Sequence, residues 1–175
     1  MLVVGAGTIG LMHAAMARLH GAGRVVVSDL SEERLALCEA LDPAITPIQG
    51  VDDAAVARLT GGHGFDVVIV ACPSPAAQQV AFGQAAVNGR VCFFGGLPKD
   101  RENVALNSNI IHYKQLIVTG TTRASLAQYR KTLSFISSGI IKVDRFATAS
   151  APLEGIHTLI DYAKKAQGLK NTVKF

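Results

Sequence analysis

The sequence lacks tryptophan, has few other aromatic residues, and only 17% of its residues are charged. Its three cysteines, Cys38, Cys72 and Cys92, form no CxxC pair and no even set, which argues against a disulfide framework. No apolar run approaches the roughly 20 residues that a membrane-spanning helix needs, and no segment has the pattern of an export signal. These absences predict a soluble, cytoplasmic protein.

The distribution of charge argues against a nucleic-acid-binding protein. The formal net charge is +4, but the basic residues are dispersed along the chain and aromatic stacking partners are scarce. A nucleic-acid-binding surface needs basic residues clustered on one face. We therefore expect no nucleic-acid partner and at most a local bias toward an anionic ligand.

Apolar residues make up 49% of the 175 residues, enough for a single core. Strands are predicted at LVVG, RVVVSD, AITPI, FDVVIVA, GRVCFFG and QLIVTG, and helices near residues 9–20, 32–40, 52–59, 76–86, 124–138 and 152–166. This alternation predicts an α/β fold with a doubly wound, six-stranded parallel sheet. A long irregular stretch, GLPKDRENVALNSN, joins the fifth and sixth strands.

Three glycines follow the first predicted strand. Gly5, Gly7 and Gly10 form GxGxxG at the start of the first helix. Gly5 permits a tight turn, Gly7 lets the backbone approach a pyrophosphate, and Gly10 lets the helix pack against the strand. The alternative is a glycine-rich turn without a ligand. The glycine motif alone does not decide between the two, and the Rossmann fold that binds dinucleotides also needs an acid after the second strand.

An acidic residue stands where this fold needs one. Asp29 ends the second predicted strand, nineteen residues after Gly10, and can accept both hydroxyl protons of an adenosine ribose. Its charge would repel a 2′-phosphate, which favours NAD over NADP. With strand, glycine motif, helix, strand and acid in this order, dinucleotide binding is favoured. The alternative is that Asp29 only terminates the strand or stabilises a turn. Arg34 lies near enough in sequence to approach the adenosine, or it is a solvated helix cation.

Ligands of such sheets lie beyond the carboxyl ends of the strands. The tips of the fourth, fifth and sixth strands are Ala71-Cys72-Pro73, Phe94-Gly95-Gly96-Leu97 and Thr119-Gly120-Thr121-Thr122-Arg123. Glycines at two of these tips leave room for the nicotinamide half. An S-adenosylmethionine-dependent methyltransferase is the alternative hypothesis, because such an enzyme also uses a glycine-rich first turn and an acid after the second strand.

The segments VVGAGTIGL, SDLSEERLALCEAL, GRVCFFGGLPKD, IVTGTTR and APLEGIHTLIDYAKKAQGLKNTVKF resemble the cofactor-binding domain of zinc-dependent medium-chain dehydrogenases, specifically the sorbitol-type polyol dehydrogenases. The resemblance covers essentially the whole chain. Thr8 stands where the family often has proline, and Leu41-Asp42-Pro43-Ala44 replaces the usual Leu-Gly-Ala. Neither departure threatens the fold.

The resemblance implies a set of cofactor-binding residues. Gly5, Gly7, Thr8, Ile9 and Gly10 would hold the pyrophosphate, and Asp29 and Leu30 the adenosine ribose. Ala71 and Cys72 would flank the adenine, Gly95, Gly96 and Leu97 the nicotinamide, and Thr121, Thr122 and Arg123 the nicotinamide or the substrate mouth.

The resemblance also implies a larger enzyme. Residues 1–166 would be the NAD-binding domain, and residues 167–175 a return segment toward a GroES-like catalytic domain that supplies zinc. The five histidines are scattered and none has a ligand-like partner, so this chain is expected to bind no metal. It would bind NAD(H) without turning over an alcohol or polyol by itself. A non-catalytic NAD-sensing module is the other possibility.

Assembly is also implied by the resemblance. In the sorbitol-type family the segment before the sixth strand joins its counterpart across a dimer axis. Residues 104–112 would occupy that place here, which predicts a homodimer or tetramer. Packing of this segment onto its own subunit is the alternative.

Overall fold

The computed structural model describes all 175 residues. Six strands form one parallel sheet in the order β3-β2-β1-β4-β5-β6. Their bounds are β1 Leu2–Val4, β2 Val25–Asp29, β3 Ile45–Gln49, β4 Phe65–Val70, β5 Ala85–Phe93 and β6 Ile117–Gly120. The predicted α/β class and doubly wound parallel sheet are confirmed. The strand order changes direction between β1 and β4, and this switch point opens a crevice at the carboxyl ends of the strands.

Between the strands of this sheet, five helices alternate with the strands along the chain. They are α1 Thr8–Leu19, α2 Glu32–Leu41, α3 Asp53–Thr60, α4 Pro75–Gln84 and α5 Ser108–Lys114. Side chains of Ser31, Asp52 and Ser74 cap α2, α3 and α4 by accepting a backbone N–H of the first turn. These caps fix where each helix begins, and hence where each strand ends.

The core is built by the apolar strands. Val25, Val26 and Val27 in β2, and Val68 and Val70 in β4, are fully buried. Continuous burial of this kind is typical of parallel strands that helices cover on both faces. Burial on both faces is the reason that valine-rich runs in the sequence predict strands.

Residues Met1–Thr121 form one compact unit and Thr122–Phe175 a second. The second unit contains α6 Leu126–Ser137, β7 Ala147–Pro152, α7 Ile156–Lys164 and β8 Lys170–Lys174. Strands β7 and β8 pair in parallel as a separate two-stranded sheet. The predicted division of the chain after residue 166 stays a prediction. All the helices are too short or too polar to cross a lipid bilayer.

Some predicted bounds were wrong. Strand β5 begins at Ala85, earlier than the predicted GRVCFFG. The irregular stretch after it ends in α5, which Asn107 caps by accepting the N–H of Asn109. Strand β7 was not predicted, because its alanine-rich sequence has little intrinsic strand preference and forms a strand by pairing with β8.

Candidate nucleotide site

The turn between β1 and α1 requires glycine at its first position. Gly5 has φ +109°, and its N–H donates to the Ser28 carbonyl oxygen at 2.7 Å. A Cβ there would lie 3.1 Å from the Cβ of Cys72 and 3.3 Å from the carbonyl carbon of Ala71. Gly5 therefore allows the tips of β1 and β4 to approach each other.

The two remaining glycines of the motif differ in their surroundings. A Cβ on Gly10 would collide with the carbonyl oxygen of Gly5, so this glycine is required by helix packing. A Cβ on Gly7 would meet nothing within 4 Å, so no contact of the fold requires glycine there. Gly7 is the N-cap of α1, which no side chain caps, and Thr8 and Ile9 form the first turn. This open space lies at the positive end of the helix dipole, where a phosphate fits.

Asp29 lies beside that turn with only 13% of its side chain exposed. Its Oδ2 accepts the N–H of Ala6 at 2.7 Å, and its Oδ1 accepts the N–H of Ser31 at 2.9 Å. Arg34 approaches Oδ2 with its Nη1 at 3.9 Å. An ionised carboxylate has about four acceptor positions. The two backbone bonds hold the group in place and leave capacity for hydroxyl donors of a ligand.

A cavity of about 380 Å³ opens beside Asp29. The predicted residues Gly5, Asp29, Leu30, Arg34 and Cys72 line it. Its volume lies within the usual range for small-molecule pockets. The structure therefore brings the turn after β1 and the tips of β2 and β4 around one cavity in the first unit.

Sequence reasoning missed all the other lining residues. They are Val4, Ser28, Gly50, Val51, Ser74, Ala76, Ala77, Val80 and Gln84. Gly50 had a signal in the sequence, because a glycine shortly after a predicted strand indicates a turn at the tip of that strand. In the structure its N–H donates to the Asp29 carbonyl oxygen at 3.0 Å. The residues of α4 had none, because nothing in their sequence indicates which helix face meets the cavity.

The tip of β5 is held against the tip of β4. The N–H groups of Phe94 and Gly95 both donate to the Val70 carbonyl oxygen, at 3.0 and 2.9 Å. A Cβ on Gly95 would lie 2.6 Å from the Cys72 carbonyl oxygen, and the Gln78 amide donates to the Gly95 oxygen at 3.1 Å. This turn is therefore closely packed, and it leads directly into Gly96 and Leu97.

An aromatic contact supports the same tip from α1. The rings of His13 and Phe94 meet edge to face, with 4.5 Å between their centroids. Burial lowers the pKa of His13 below its ordinary value, so the imidazole is neutral at pH 7. His13 is thus a packing residue in this structure.

The last predicted cofactor-binding residues, Thr121, Thr122 and Arg123, are divided between the two units. Thr121 ends the first unit, and its N–H donates to the Phe93 carbonyl oxygen at 3.4 Å. Thr122 and Arg123 begin the second unit, and Arg123 is exposed with φ +62°. The cofactor-binding role of all the residues named from the sequence stays a prediction.

The thiols and imidazoles do not form a zinc site. Burial raises the pKa of the Cys72 thiol and raises that of Cys38 to about 11, so both are protonated at neutral pH. No three His, Cys, Asp or Glu side chains come together as a possible metal ligand set. The residues of this chain therefore do not fit a zinc ion.

Comparison with known proteins identifies the family. The pattern of the zinc-binding dehydrogenases matches residues 8–138. An L-threonine 3-dehydrogenase of Bacillus velezensis is 32% identical over 94% of this chain and 48% of its own length. A sorbitol dehydrogenase of Bombyx mori is 28% identical over 97% of this chain and 49% of its own length.

A solved structure shows the same fold. A short chain alcohol dehydrogenase of E. coli CFT073, complexed with NADH, superposes with a TM-score of 0.86 at 21% identity, over 99% of this chain and 51% of that one. The chain thus spans about half the length of the relatives it matches. With the family pattern covering most of its residues, it belongs to the zinc-binding dehydrogenase family, as the Rossmann nucleotide-binding domain of that family.

Proposed function

We propose that the chain binds NAD(H) and forms the cofactor half of an oxidoreductase that transfers hydride between an alcohol or polyol and NAD. The observation that carries this is the open space at Gly7 beside the anchored carboxylate of Asp29. The first accommodates a pyrophosphate without steric conflict, and the second accepts ribose hydroxyls. Bound NAD⁺ supplies the hydride acceptor.

Asp29 is the residue that favours NAD over NADP in this proposal. A 2′-phosphate placed at the ribose position would meet its negative charge in a largely enclosed site. Arg34 tempers this repulsion because its guanidinium lies beside the same carboxylate. We therefore expect a preference for NADH that is clear but finite.

The relatives are twice as long as this chain, and the proposal leaves the alcohol-activating chemistry to residues outside it. The groups that face the cavity here bind and orient the nucleotide. We expect the 175-residue chain to bind NADH without oxidising an alcohol or polyol by itself.

We further propose that the chain assembles as a homodimer or tetramer through residues 104–112. Two features support this: β6 is an edge strand with exposed Ile117 and Val118, and Leu106 is 44% exposed. Exposed edges with apolar side chains favour pairing with another chain.

The proposed function is tested by calorimetric titration of the chain with NADH, NADPH and S-adenosylmethionine. NADH should bind most tightly. Asp29→Asn removes the charge and keeps one of the two oxygens that accept backbone N–H groups. In this variant the preference for NADH over NADPH should fall about 10-fold.

Glu33→Gln is the matched control, because it removes the same charge from an exposed position nearby on α2. Its preference should equal that of the unmodified chain. Binding of S-adenosylmethionine alone would contradict the dehydrogenase proposal, and an unchanged preference in Asp29→Asn would contradict the role of Asp29.

A further inference from the structure

Helix α4 has a buried polar side chain on the side that faces the sheet. Gln78 is 8% exposed, and it lies one helical turn before the buried residues Ala81 and Phe82. Positions three and four residues apart share one face of a helix, so Gln78 belongs to the apolar stripe with which α4 packs against the core. Burial of an amide among apolar side chains is unfavourable unless the amide is hydrogen-bonded.

The hydrogen-bond partner of Gln78 lies at the tip of β5. Its Nε2 donates to the carbonyl oxygen of Gly95 at 3.1 Å, in the turn that follows the strand. A methionine would fill the same place in the apolar stripe, so packing of the core does not require glutamine here. Two successive glycines, Gly95 and Gly96, are conformationally free, and the bond to α4 restricts the peptide unit between them.

This bond also determines which way the next N–H points. In a planar trans peptide unit, the carbonyl oxygen and the amide hydrogen point in opposite directions. The unit between Gly95 and Gly96 has its oxygen turned toward α4, so the N–H of Gly96 points away from that helix. Gly96 is exposed, and its N–H has no acceptor within the chain. Gln78 therefore holds a free donor in place at the carboxyl end of the sheet.

The position of this donor along the sheet indicates what it would meet. Neighbouring strands follow the order β2-β1-β4-β5. With the adenosine ribose at Asp29 after β2 and the pyrophosphate at the turn after β1, the remainder of a dinucleotide continues past β4 toward β5. The part that would reach the Gly96 N–H is the nicotinamide half, which comprises the nicotinamide and its ribose.

We propose that Gln78 is a positioning residue for the nicotinamide half of the cofactor, an inference that rests on the NAD(H) binding proposed above. It acts through the peptide unit between Gly95 and Gly96. The proposed function includes these two glycines and gives no role to the side of α4 that faces the sheet. Because a donor that is held in place before binding loses less entropy on binding, the Gln78 bond raises the affinity for the nicotinamide half alone.

The test is titration of the chain with NADH and with ADP, which has the adenosine and both phosphates but lacks the nicotinamide half. Gln78→Met keeps the length of the side chain and removes the donor. In this variant the affinity for NADH should fall about 5-fold, the equivalent of one hydrogen bond, and the affinity for ADP should not change. A purely structural role of Gln78 would lower both affinities or neither, and either result would overturn the inference.

Gln79→Met is the matched control. It makes the same change at the adjacent, exposed position and removes the bond from the Gln79 amide to the Ala105 carbonyl oxygen, which ties the other end of the same loop to α4. Both affinities should stay unchanged. A selective loss of NADH affinity in this variant as well would attribute the effect to a loosened loop and would contradict the role of Gln78.

A second measurement uses the unmodified chain and does not depend on whether any variant folds. Coupling between two sites is reciprocal, so a bound nicotinamide half must in turn strengthen the Gln78 bond. Hydrogen exchange of the Gln78 side-chain amide, followed by NMR, should be slower with saturating NADH than with saturating ADP. Equal exchange rates would overturn the inference and leave NAD(H) binding intact. Failure of the unmodified chain to bind NADH at all would overturn both the inference and the proposed function.

Discussion

At the scale of single residues, the fold requires glycine at one position of the glycine motif and does not require it at another. Gly10 faces the carbonyl oxygen of Gly5, whereas Gly7 faces open space with an ordinary φ of −73°. We predict that Gly10→Ser lowers the free energy of unfolding by about 1–3 kcal/mol through overpacking. Gly7→Ser should keep or slightly raise stability, because serine is a good N-cap, but should weaken NADH binding about 10-fold by occupying the pyrophosphate space.

Urea denaturation and NADH titration of the two variants measure both effects. Each variant is the control for the other, since the substitution is identical and the positions lie three residues apart. A stability loss at Gly7 equal to that at Gly10 would show that Gly7 is also needed for folding. Unchanged NADH affinity in Gly7→Ser would place the pyrophosphate elsewhere.

The residues that the sequence could predict were those whose chemistry depends on local spacing. The glycines and Asp29 follow strands at fixed intervals, so their positions could be inferred before any tertiary contact was known. Gln84 could not be found this way. A glutamine near a helix end is usually exposed, and only the packing of α4 in the folded chain encloses it beside the cavity.

At the scale of elements, whether a helix or strand could be predicted depended on its own length and composition. The valine-rich β2 and β4 and the twelve-residue α1 were predicted because their patterns are strong over their own length. Helix α5 has seven residues, too few for a periodic pattern, and was missed. Strand β7 depends on its partner β8, and a sequence shows no such pairing before the chain is folded.

The edge of the large sheet gives a prediction about assembly. Leu106 precedes α5 and is exposed, in a segment that the Gln79 amide ties to α4 through the Ala105 oxygen. If this segment forms the proposed interface, Leu106→Glu buries a charge there and should convert the oligomer to monomers in sedimentation velocity. Val87→Glu is the control, because it changes an exposed apolar residue outside residues 104–112 and should leave the sedimentation coefficient unchanged. A monomeric unmodified chain would contradict the interface.

At the scale of the whole molecule, the cavity beside Asp29 belongs to one of the two units. All of its lining residues lie between Val4 and Gln84, within Met1–Thr121. Only Thr122 and Arg123, among the residues predicted to contact the cofactor, belong to the second unit. The division of the chain therefore predicts where a bound ligand stabilises it.

A ligand that binds only the folded state stabilises it by mass action, by about 2.7 kcal/mol at 100 times its Kd. We predict that NADH at this concentration slows hydrogen exchange of the buried amides of β1, β2 and β4 about 100-fold, because these exchange only when the first unit opens. Amides of β7 and β8 should exchange at unchanged rates. Mass spectrometry of peptic fragments measures both sets in one sample. Equal slowing in β7 and β8 would mean that the two units open together, or that the cofactor is bound by more of the second unit than Thr122 and Arg123.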